Sequence, residues 1–411
     1  MKKKIVFVIN YFYPDVASTG QLLTELCLEL QQHFNITVIA VQPEHVLKKG
    51  GVKKWFTEDR LENIRIVRVK TPIVNKADKI SRIKFILSYF FLSLLALFKE
   101  KEVDLVYTIS SPPILGGAIG TIGKVIKRTK HVYNIQDFNP EQAMAVNYAK
   151  SKWLYKVAKF IDNLNCRMAD HIITVGHDMQ KTLIDRFSGK NVPNNSVINN
   201  WTNEQEIVPL PKTHPEVKRF IDEHGLTGKF IFMYSGNLGL YYDLENIIEV
   251  TSEFKDLKDV VFVFIGDGAV KGQMQQTVTK YGLSNVLFLP FLPKEYIKYS
   301  LNAADVHLVV NQKGIKGVSV PSKIYGIMAS GKPILGVLEQ GSEAERLIAE
   351  SGSGIVVEPQ QYSEISKAMK QFYEIDNQTR EAMGMNGRKY LEANLRRESS
   401  IKKYRNILET V

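Results

Sequence analysis

The segment VPSKIYGIMASGKP, residues 320–333, places a lysine on the first turn of a short predicted helix. Apolar residues recur at helical spacing over 324–328, and the Ser-Gly-Lys-Pro that follows ends the helix. Basic side chains favour the other end of a helix, because the N-terminus already carries partial positive charge. An anion held by Lys323 and by the helix start at Pro321 and Ser322 would explain the arrangement. The alternative is that Lys323 is a solvated surface residue.

Glycine-containing turns link predicted strands to predicted helices in both halves of the chain. Their spacing fits neither GxGxxG nor a Walker A loop, so NAD binding and P-loop hydrolysis lack their fingerprints. Two such turns facing one cleft favour a phosphate or sugar site. The candidate contacts in these turns and in the NQKGIKG loop are Gly20, Ser235, Gly236, Asn237, Gly266, Gly268, Lys313 and Lys316.

Carboxylates follow one predicted strand of the first half, in the segment NIQDFNPEQ. Asp137 is a candidate to accept the proton of a hydroxyl group or to hold a sugar hydroxyl, and Glu141 is a second candidate. The alternative is structural, because Asn-Pro-Glu is a good helix start and a nearby aspartate would then serve as a cap.

Composition excludes several function classes. The 411 residues carry a net charge of +11 and include two distant cysteines, which fits a reducing compartment and excludes a disulfide framework. Neither D-x-D nor HExxH occurs, so a metal-centred mechanism has no support and no cofactor is expected. The basic residues are dispersed without a nucleic-acid-binding motif, so nucleic acid is not an expected partner. The opening MKKKIVFVINYFYPD is predicted to be a buried strand rather than a signal peptide.

The segment 82–101, RIKFILSYFFLSLLALFKEK, is apolar from 85 to 98 apart from serines. Fourteen residues are too few to span a bilayer. A buried core helix and a helix lying in the membrane interface, with basic residues toward lipid phosphates, are both open.

Short continuous Val/Ile-rich runs alternate with helical stretches and indicate parallel strands buried on both faces. We predict an α/β protein of two doubly wound Rossmann-like domains facing a cleft, with ligands at the carboxyl ends of the strands. The polar, proline-containing stretch 202–220 marks the hinge. The first domain is placed at 1–205 and the second at 206–391, and a terminal helix at about 392–411 is expected to pack back on the first. The predicted strands are 5–9, 36–41, 64–69, 105–109, 131–135, 172–175, 197–198, 230–234, 260–265, 286–289, 306–310, 334–337 and 355–357.

The order and spacing of YSGNLG, FIGDGAVKGQM, VLFLPFLPKEYIKYSLNAADVHLVV and PSKIYGIMASGKPIL resemble the nucleotide-sugar-binding domain of glycosyltransferase family 4, which has the two-domain GT-B fold. NYFYPDVASTGQLLTELCLEL, YTISSPP and IQDFNPE are similar to the family's acceptor-side segments. The chain is most similar to a subgroup that builds bacterial surface polysaccharide, such as colanic acid and N-acetylfucosaminyl transferases.

The chain departs from the family pattern at the positions that usually contact the donor. The basic residue of the SGN loop and the lysine after it are replaced by Asn237 and Asp243. The two glutamates of the last motif are replaced by Val318 and Gly326. Since a diphosphate in a low-dielectric cleft needs compensating charge, Lys323 becomes the leading substitute.

The resemblance implies a retaining transferase that moves a sugar from a nucleotide diphosphate, expected to be a UDP-N-acetylhexosamine, and requires no metal. The expected acceptor is a polyprenyl-diphosphate-linked saccharide, which places the enzyme in the cytoplasm on the inner face of the plasma membrane. A nucleotide-sugar 2-epimerase and a non-catalytic sugar-binding protein are the alternatives.

Overall fold

The computed structural model describes residues 2–15, 18–48, 54–74, 78–145 and 151–411. The chain divides into two compact units. The first comprises Met1–Met144, Ala149–Asn199 and Ser400–Val411, and the second comprises Ala145–Tyr148 and Asn200–Ser399. The division after residue 199 lies six residues before the boundary predicted at 205.

The first unit is built on a sheet whose described strands run in the order β3-β4-β2-β1-β5-β6-β7-β8. All neighbours are parallel except β3, which pairs antiparallel with β4 at the edge. Of the central strands, β5 is fully buried and β1 is buried apart from Lys4, as their continuous apolar runs predict. The strands are β1 (Lys4–Val8), β2 (Asn35–Val41), β3 (Phe56–Leu61), β4 (Ile64–Val69), β5 (Leu105–Ile109), β6 (Lys130–Ile135), β7 (His171–Thr174) and β8 (Asn195–Val197).

Helices connect these strands and cover the sheet. Asp78 caps α3 by accepting hydrogen bonds from the backbone N–H groups of Ile80 and Ser81, and Ser151 caps α6 through Leu154. The helices are α1 (Ser18–Leu30), α2 (Glu44–Lys48), α3 (Lys79–Lys99), α4 (Leu115–Lys127), α5 (Glu141–Ala145), α6 (Lys152–Met168) and α7 (His177–Arg186).

The second unit repeats the plan with a parallel sheet of order β11-β10-β9-β12-β13-β14 in the described residues. Its strands are β9 (Phe230–Ser235), β10 (Val260–Ile265), β11 (Val286–Leu289), β12 (Val306–Val310), β13 (Ile334–Val337) and β14 (Gly354–Val357). Its helices are α8 (Pro215–Glu223), α9 (Leu244–Val250) continued by a 3-10 turn (Thr251–Phe254), α10 (Lys271–Tyr281), α11 (Lys294–Ala303), α12 (Lys323–Ala329), α13 (Glu343–Ser351), α14 (Tyr362–Glu374) and α15 (Asn377–Asn394).

The last helix, α16 (Arg397–Thr410), returns the chain to the first unit. Tyr404 Oη accepts a hydrogen bond from Asn134 Nδ2 at 2.6 Å, and Lys3 Nζ donates to the Leu408 carbonyl at 3.0 Å. The two parallel sheets confirm the predicted fold class, two doubly wound α/β units.

Helix α3 combines the two alternatives left open for residues 82–101. Tyr89, Leu92 and Leu97 are buried in the core against β1, β2 and β4, whereas Leu87 and Phe91 are exposed. Residues Ile80–Lys99 are long and apolar enough to cross a membrane by length and composition, yet part of this stretch is buried inside the unit. The helix is therefore a core element with one uncovered apolar face.

Candidate functional site

The ammonium of Lys323 lies on a pair of aromatic rings at the carboxyl end of β9. Its Nζ donates to Tyr234 Oη at 2.6 Å, and it stands 3.8 Å and 4.3 Å from the ring centroids of Tyr234 and Tyr242. Loss of hydration lowers the pKa of Lys323 to about 7. The side chain is therefore not a solvated surface lysine, and no described carboxylate forms an ion pair with it.

The glycine turn predicted at 235–237 lies directly beneath this lysine. A Cβ placed on Gly236 would stand 3.3 Å from Lys323 Cε and 3.7 Å from Nζ. Ser235 is the last residue of β9, and the Gly236 N–H donates to the Ile265 carbonyl. The turn and the lysine thus lie in one cluster, so a group bound above Gly236 would meet the ammonium.

The second glycine turn packs against the first through the backbone. The Leu238 N–H donates to the Asp267 carbonyl at 2.9 Å. A Cβ on Gly266 would stand 1.9 Å from the Gly236 carbonyl oxygen, and one on Gly268 would stand 2.2 Å from that of Leu238. The packing of the two turns by itself requires glycine at 266 and 268, and the ligand contact predicted for them stays a prediction.

The loop 313–317 is held by a carboxylate instead of being open to a phosphate. Glu339 Oε2 accepts hydrogen bonds from the backbone N–H groups of Gly314 at 2.8 Å and Lys316 at 3.0 Å. The Lys316 ammonium donates to the Gln340 carbonyl. Lys316 thus anchors the loop although its side chain is exposed, as is that of Lys313, and the donor contacts predicted for both lysines stay predictions.

The residues that replace the usual donor contacts of the family do not supply positive charge. Asp243 adopts a left-handed backbone at the start of α9, and its carboxylate accepts hydrogen bonds from Asn246 and from Tyr362 Oη. The Asn237 carbonyl accepts from Tyr234 Oη at 2.7 Å. Lys323 therefore remains the described cation that contacts Gly236, with Pro321 buried and Ser322 half-buried beside it, while Lys271 Nζ lies at the adjoining turn and donates to the Gly266 carbonyl at 3.2 Å.

Gly326 lies inside α12 with space for a side chain. A Cβ there would meet nothing nearer than Leu301 Cδ1 at 3.6 Å and Ile207 Cδ1 at 4.0 Å. We predict that Gly326→Ala raises the free energy of unfolding by about 0.5–1 kcal/mol, because glycine costs backbone entropy in a helix interior. Urea denaturation measures the change. A destabilised variant would show that this position requires glycine.

In the first unit, Asp137 lies just beyond the carboxyl end of β6. Its backbone N–H and that of Gln136 both donate to Ser110 Oγ at 3.1 Å. Helix α5 begins at Glu141, so Asp137 stands too far upstream to be its N-cap. The half-buried Asp137 is therefore positioned by the strand ends and remains a candidate for contact with an acceptor.

Glu141 is held by ion pairs within the first unit. Its carboxylate accepts from Arg186 Nε at 3.0 Å and also pairs with Lys159 at 3.3 Å, while Arg186 in turn binds the buried Asp162. Burial raises the pKa of Glu141, but the Arg186 charge and hydrogen bonds bring the pKa below its usual value. We therefore assign Glu141 to a structural ion-pair cluster and withdraw it as a catalytic candidate.

Gly20 lies in α1, where the helix approaches the loop after β1. A Cβ there would stand 3.0 Å from the Tyr11 carbonyl oxygen. The position therefore allows close packing of helix and loop, and the ligand contact predicted for Gly20 stays a prediction.

Sequence reasoning missed the aromatic residues around the lysine. Tyr234 and Tyr242 enclose the Lys323 ammonium, and Phe291 is 59% exposed, 3.5 Å from a Cβ placed on Gly266. The available signal for Phe291 was an aromatic residue two positions after the predicted strand 286–289, in the run VLFLPF.

Comparison with known proteins places this site in a family. Residues 216–390 match the model of glycosyl transferases group 1. WbjE of Pseudomonas aeruginosa, named a probable glycosyltransferase, is 28% identical over 91% of this chain and 90% of its own length. WcaI of Escherichia coli (strain K12), named as a glycosyl transferase of colanic acid biosynthesis, is 22% identical over 98% of this chain and 99% of its own.

A solved structure agrees with both parallel sheets. The crystal structure of Anabaena HepE in complex with UDP and glucose covers 100% of both chains with a TM-score of 0.74 at 15% identity. With residues 216–390 matching the glycosyl transferases group 1 model, the chain is a glycosyltransferase with the GT-B fold, as its resemblance to family 4 implied.

Proposed function

We propose that the chain is a retaining glycosyltransferase that moves a sugar, of the N-acetylhexosamine type, from a UDP donor to a lipid-linked saccharide in bacterial surface polysaccharide synthesis. The observation that carries the proposal is the Lys323 ammonium held over Gly236 inside the matched domain. The name of WcaI supports a polysaccharide product, and the UDP bound by HepE supports the nucleotide.

The lysine suits the charge that develops when a nucleotide diphosphate departs. A preorganised cation in a poorly hydrated site stabilises a leaving phosphate without reorganising solvent. Tyr234 and Tyr242 fix the ammonium by a hydrogen bond and two ring faces, so little side-chain entropy is lost on binding. Phe291 offers a ring on which the nucleobase stacks.

The acceptor is assigned to the first unit. Asp137 is the carboxylate at the end of β6 that accepts or orients the attacking hydroxyl group. On the retaining route the hydroxyl group attacks the face of the sugar from which the phosphate departs, and its proton passes to Asp137 while the phosphate leaves with the bonding electron pair. No metal takes part in the proposed reaction.

The test incubates the purified chain with labelled UDP-sugars, with and without a bacterial lipid extract. We expect label to enter the lipid fraction only when extract is present. Release of an epimerised free sugar would identify a 2-epimerase, and tight binding without turnover would identify a sugar-binding protein.

We propose further that the enzyme works in the cytoplasm on the inner membrane surface, through α3. The exposed residues of α3 are apolar along its length and basic at Arg82 and Lys84 near its start. Interfacial helices combine such a face with basic residues that meet lipid phosphates.

Replacing Arg82 and Lys84 by glutamate should move the chain from the pellet to the supernatant when it is sedimented with anionic vesicles. Each basic residue near an anionic surface contributes on the order of 1 kcal/mol, and salt should weaken the binding. If the wild-type chain never sediments with anionic vesicles, α3 serves the core alone.

A further inference from the structure

Helix α6 carries a second uncovered apolar face. Trp153, Val157, Phe160 and Leu164 recur at i, i+4, i+7 and i+11, so they form one stripe along the helix. Trp153 is 68% and Phe160 is 69% exposed. A contiguous exposed apolar stripe of this kind marks an interaction surface.

The opposite face of α6 is fixed to the first unit by buried polar contacts. Asp162 Oδ1 accepts from Tyr133 Oη at 3.1 Å, and Asn165 Oδ1 accepts from Thr121 Oγ1 at 3.1 Å. The helix therefore cannot rotate to bury its stripe without leaving these polar groups unpaired.

The charges beside the stripe have one sign. Lys152, Lys156 and Arg167 are exposed on α6, and its acidic residue, Asp162, is buried against Arg186. An apolar stripe flanked by basic residues fits a bilayer surface with anionic headgroups.

Helix α4 joins α6 to α3 in one layer. Lys124 Nζ donates to the Met168 carbonyl at the end of α6, and Lys127 Nζ donates to the Phe98 carbonyl at the end of α3. The three helices together contain ten basic residues and one acidic residue, although the whole chain has 54 basic and 43 acidic residues. We call their exposed residues the α3–α4–α6 face: Ile80, Ile83, Leu87, Phe91 and Leu95 of α3, Val125 and Ile126 of α4, and Trp153, Leu154, Val157, Phe160, Ile161 and Leu164 of α6.

We propose that the whole α3–α4–α6 face docks on an anionic lipid bilayer, with Trp153 and Phe160 of α6 inserted at the level of the headgroups. The inference extends the membrane association proposed for α3 to a second helix. A second copy of the chain fits the face less well, because it would bring lysine against lysine. Docking by two helices also fixes the orientation of the first unit on the bilayer. With one docked helix, the unit could rotate about the axis of that helix.

Phe85 shows which edge of the sheet meets the first turns of α3. Its ring stacks on Tyr11, which follows β1 at the carboxyl edge, with centroids 6.4 Å apart. Asp137 lies at the same edge, just beyond β6. Asp137 and the first turns of α3 therefore lie at the same edge of the sheet. When the first unit is docked, a lipid-linked acceptor would approach Asp137 from this edge.

Vesicle sedimentation without donor or acceptor tests the docking. Wild-type chain should bind vesicles containing phosphatidylglycerol and not those of pure phosphatidylcholine. Trp153→Ser with Phe160→Ser should weaken binding roughly tenfold or more, since two large apolar groups no longer enter the interface. Lys152→Glu with Lys156→Glu should weaken it by a similar factor.

The matched control makes the same change in net charge as Lys152→Glu with Lys156→Glu, but on the opposite side of the sheet. Tyr404 of α16 packs against the Tyr107 ring, whereas the neighbouring Val106 faces the core under α3. Lys402→Glu with Lys403→Glu, both exposed on α16, should therefore leave vesicle binding within about twofold of wild type, apart from the long-range effect of net charge that salt screens.

Fluorescence reports insertion directly. Trp201 is buried, so in a Trp55→Phe background Trp153 is the tryptophan that responds to the bilayer. Its emission should shift to shorter wavelength with anionic vesicles and be quenched by brominated lipid. Trp153→Phe in that background should abolish both signals.

Three outcomes would overturn the proposal: no binding to anionic vesicles, equal loss in the α6 and α16 variants, or a lipid-free dimer that Trp153→Ser with Phe160→Ser dissociates. The last would assign the face to a second copy. Unchanged melting temperatures show that the variants fold. The vesicles contain neither donor nor acceptor, so docking can be confirmed even if the proposed transfer reaction fails. Loss of binding in Trp153→Ser with Phe160→Ser, which leaves α3 unchanged, separates this inference from the proposed role of α3.

Discussion

Replacing Asp137 by asparagine should lower the turnover of glycosyl transfer by about 10²–10⁴-fold, the range for loss of a positioned proton acceptor. The affinity for UDP should stay near the wild-type value, because the proposed nucleotide site lies in the second unit. Asparagine keeps the size of the side chain and much of its hydrogen bonding, so only the charge and the basicity are lost.

The start of α5 weighs against the capping alternative for this residue. Helix α5 begins at Glu141, so Asp137 is not its cap, and its backbone is held by Ser110 Oγ, which the substitution does not touch. The melting temperature of Asp137→Asn should therefore match that of the wild type.

Asp185→Asn is the matched control for the lost charge. Asp185 is exposed on α7 of the same unit and pairs with Lys181 at 3.4 Å on the protein surface. UDP affinity, melting temperature and turnover are measured on each preparation. Normal turnover of Asp137→Asn, or activity lost in proportion to stability, would assign Asp137 to structure.

Replacing Lys323 by methionine should weaken UDP binding at least roughly tenfold, because a charged hydrogen bond contributes about 1.5–3 kcal/mol. Methionine keeps an apolar chain against Tyr234 and Tyr242, so the loss reports the ammonium rather than a cavity. Calorimetric titration with UDP measures the change.

The pH dependence of donor binding gives an independent signature. The pKa of Lys323 is lowered to about 7 by loss of hydration, and a bound diphosphate favours its charged form. The affinity for UDP-glucose, used as a probe whose diphosphate does not titrate here, should fall as the pH rises above 7, by up to about tenfold per pH unit. Lys323→Met should show no such fall.

The same shift has a stability consequence of known sign. Between pH 7 and the usual lysine pKa of 10.5, the unfolded chain holds a proton that the folded chain has released. The free energy of unfolding of the wild type should therefore rise with pH in this window relative to Lys323→Met.

Lys332→Met provides the control for both measurements. Burial also lowers the pKa of Lys332, to about 8, but this lysine precedes β13 and lies at the amino edge of the sheet. Its replacement should leave UDP affinity unchanged. Equal losses in both variants, or unchanged affinity in Lys323→Met, would remove Lys323 from the diphosphate site.

The sequence predicted the two parallel sheets and most of their strands, because burial on both faces imposes continuous Val/Ile runs such as VVFVFI of β10. It missed β3, whose residues FTEDRL are exposed or half-buried on an antiparallel edge and so carry no such run. It also located Lys323 and the glycine turn at 236, since a cation at a helix start and a glycine after a strand are local features.

What surrounds those residues was decided only by tertiary structure. Tyr234 lies 89 positions before Lys323, so no local pattern could show that this lysine contacts an aromatic ring. Arg186 lies 45 positions after Glu141, so no local pattern could show that the glutamate is held in an ion pair. Nor could periodicity show which face of α6 is covered. Sequence determines which faces are apolar through residue type and period, but the packing of distant elements determines which of those faces remain exposed and which charges remain available.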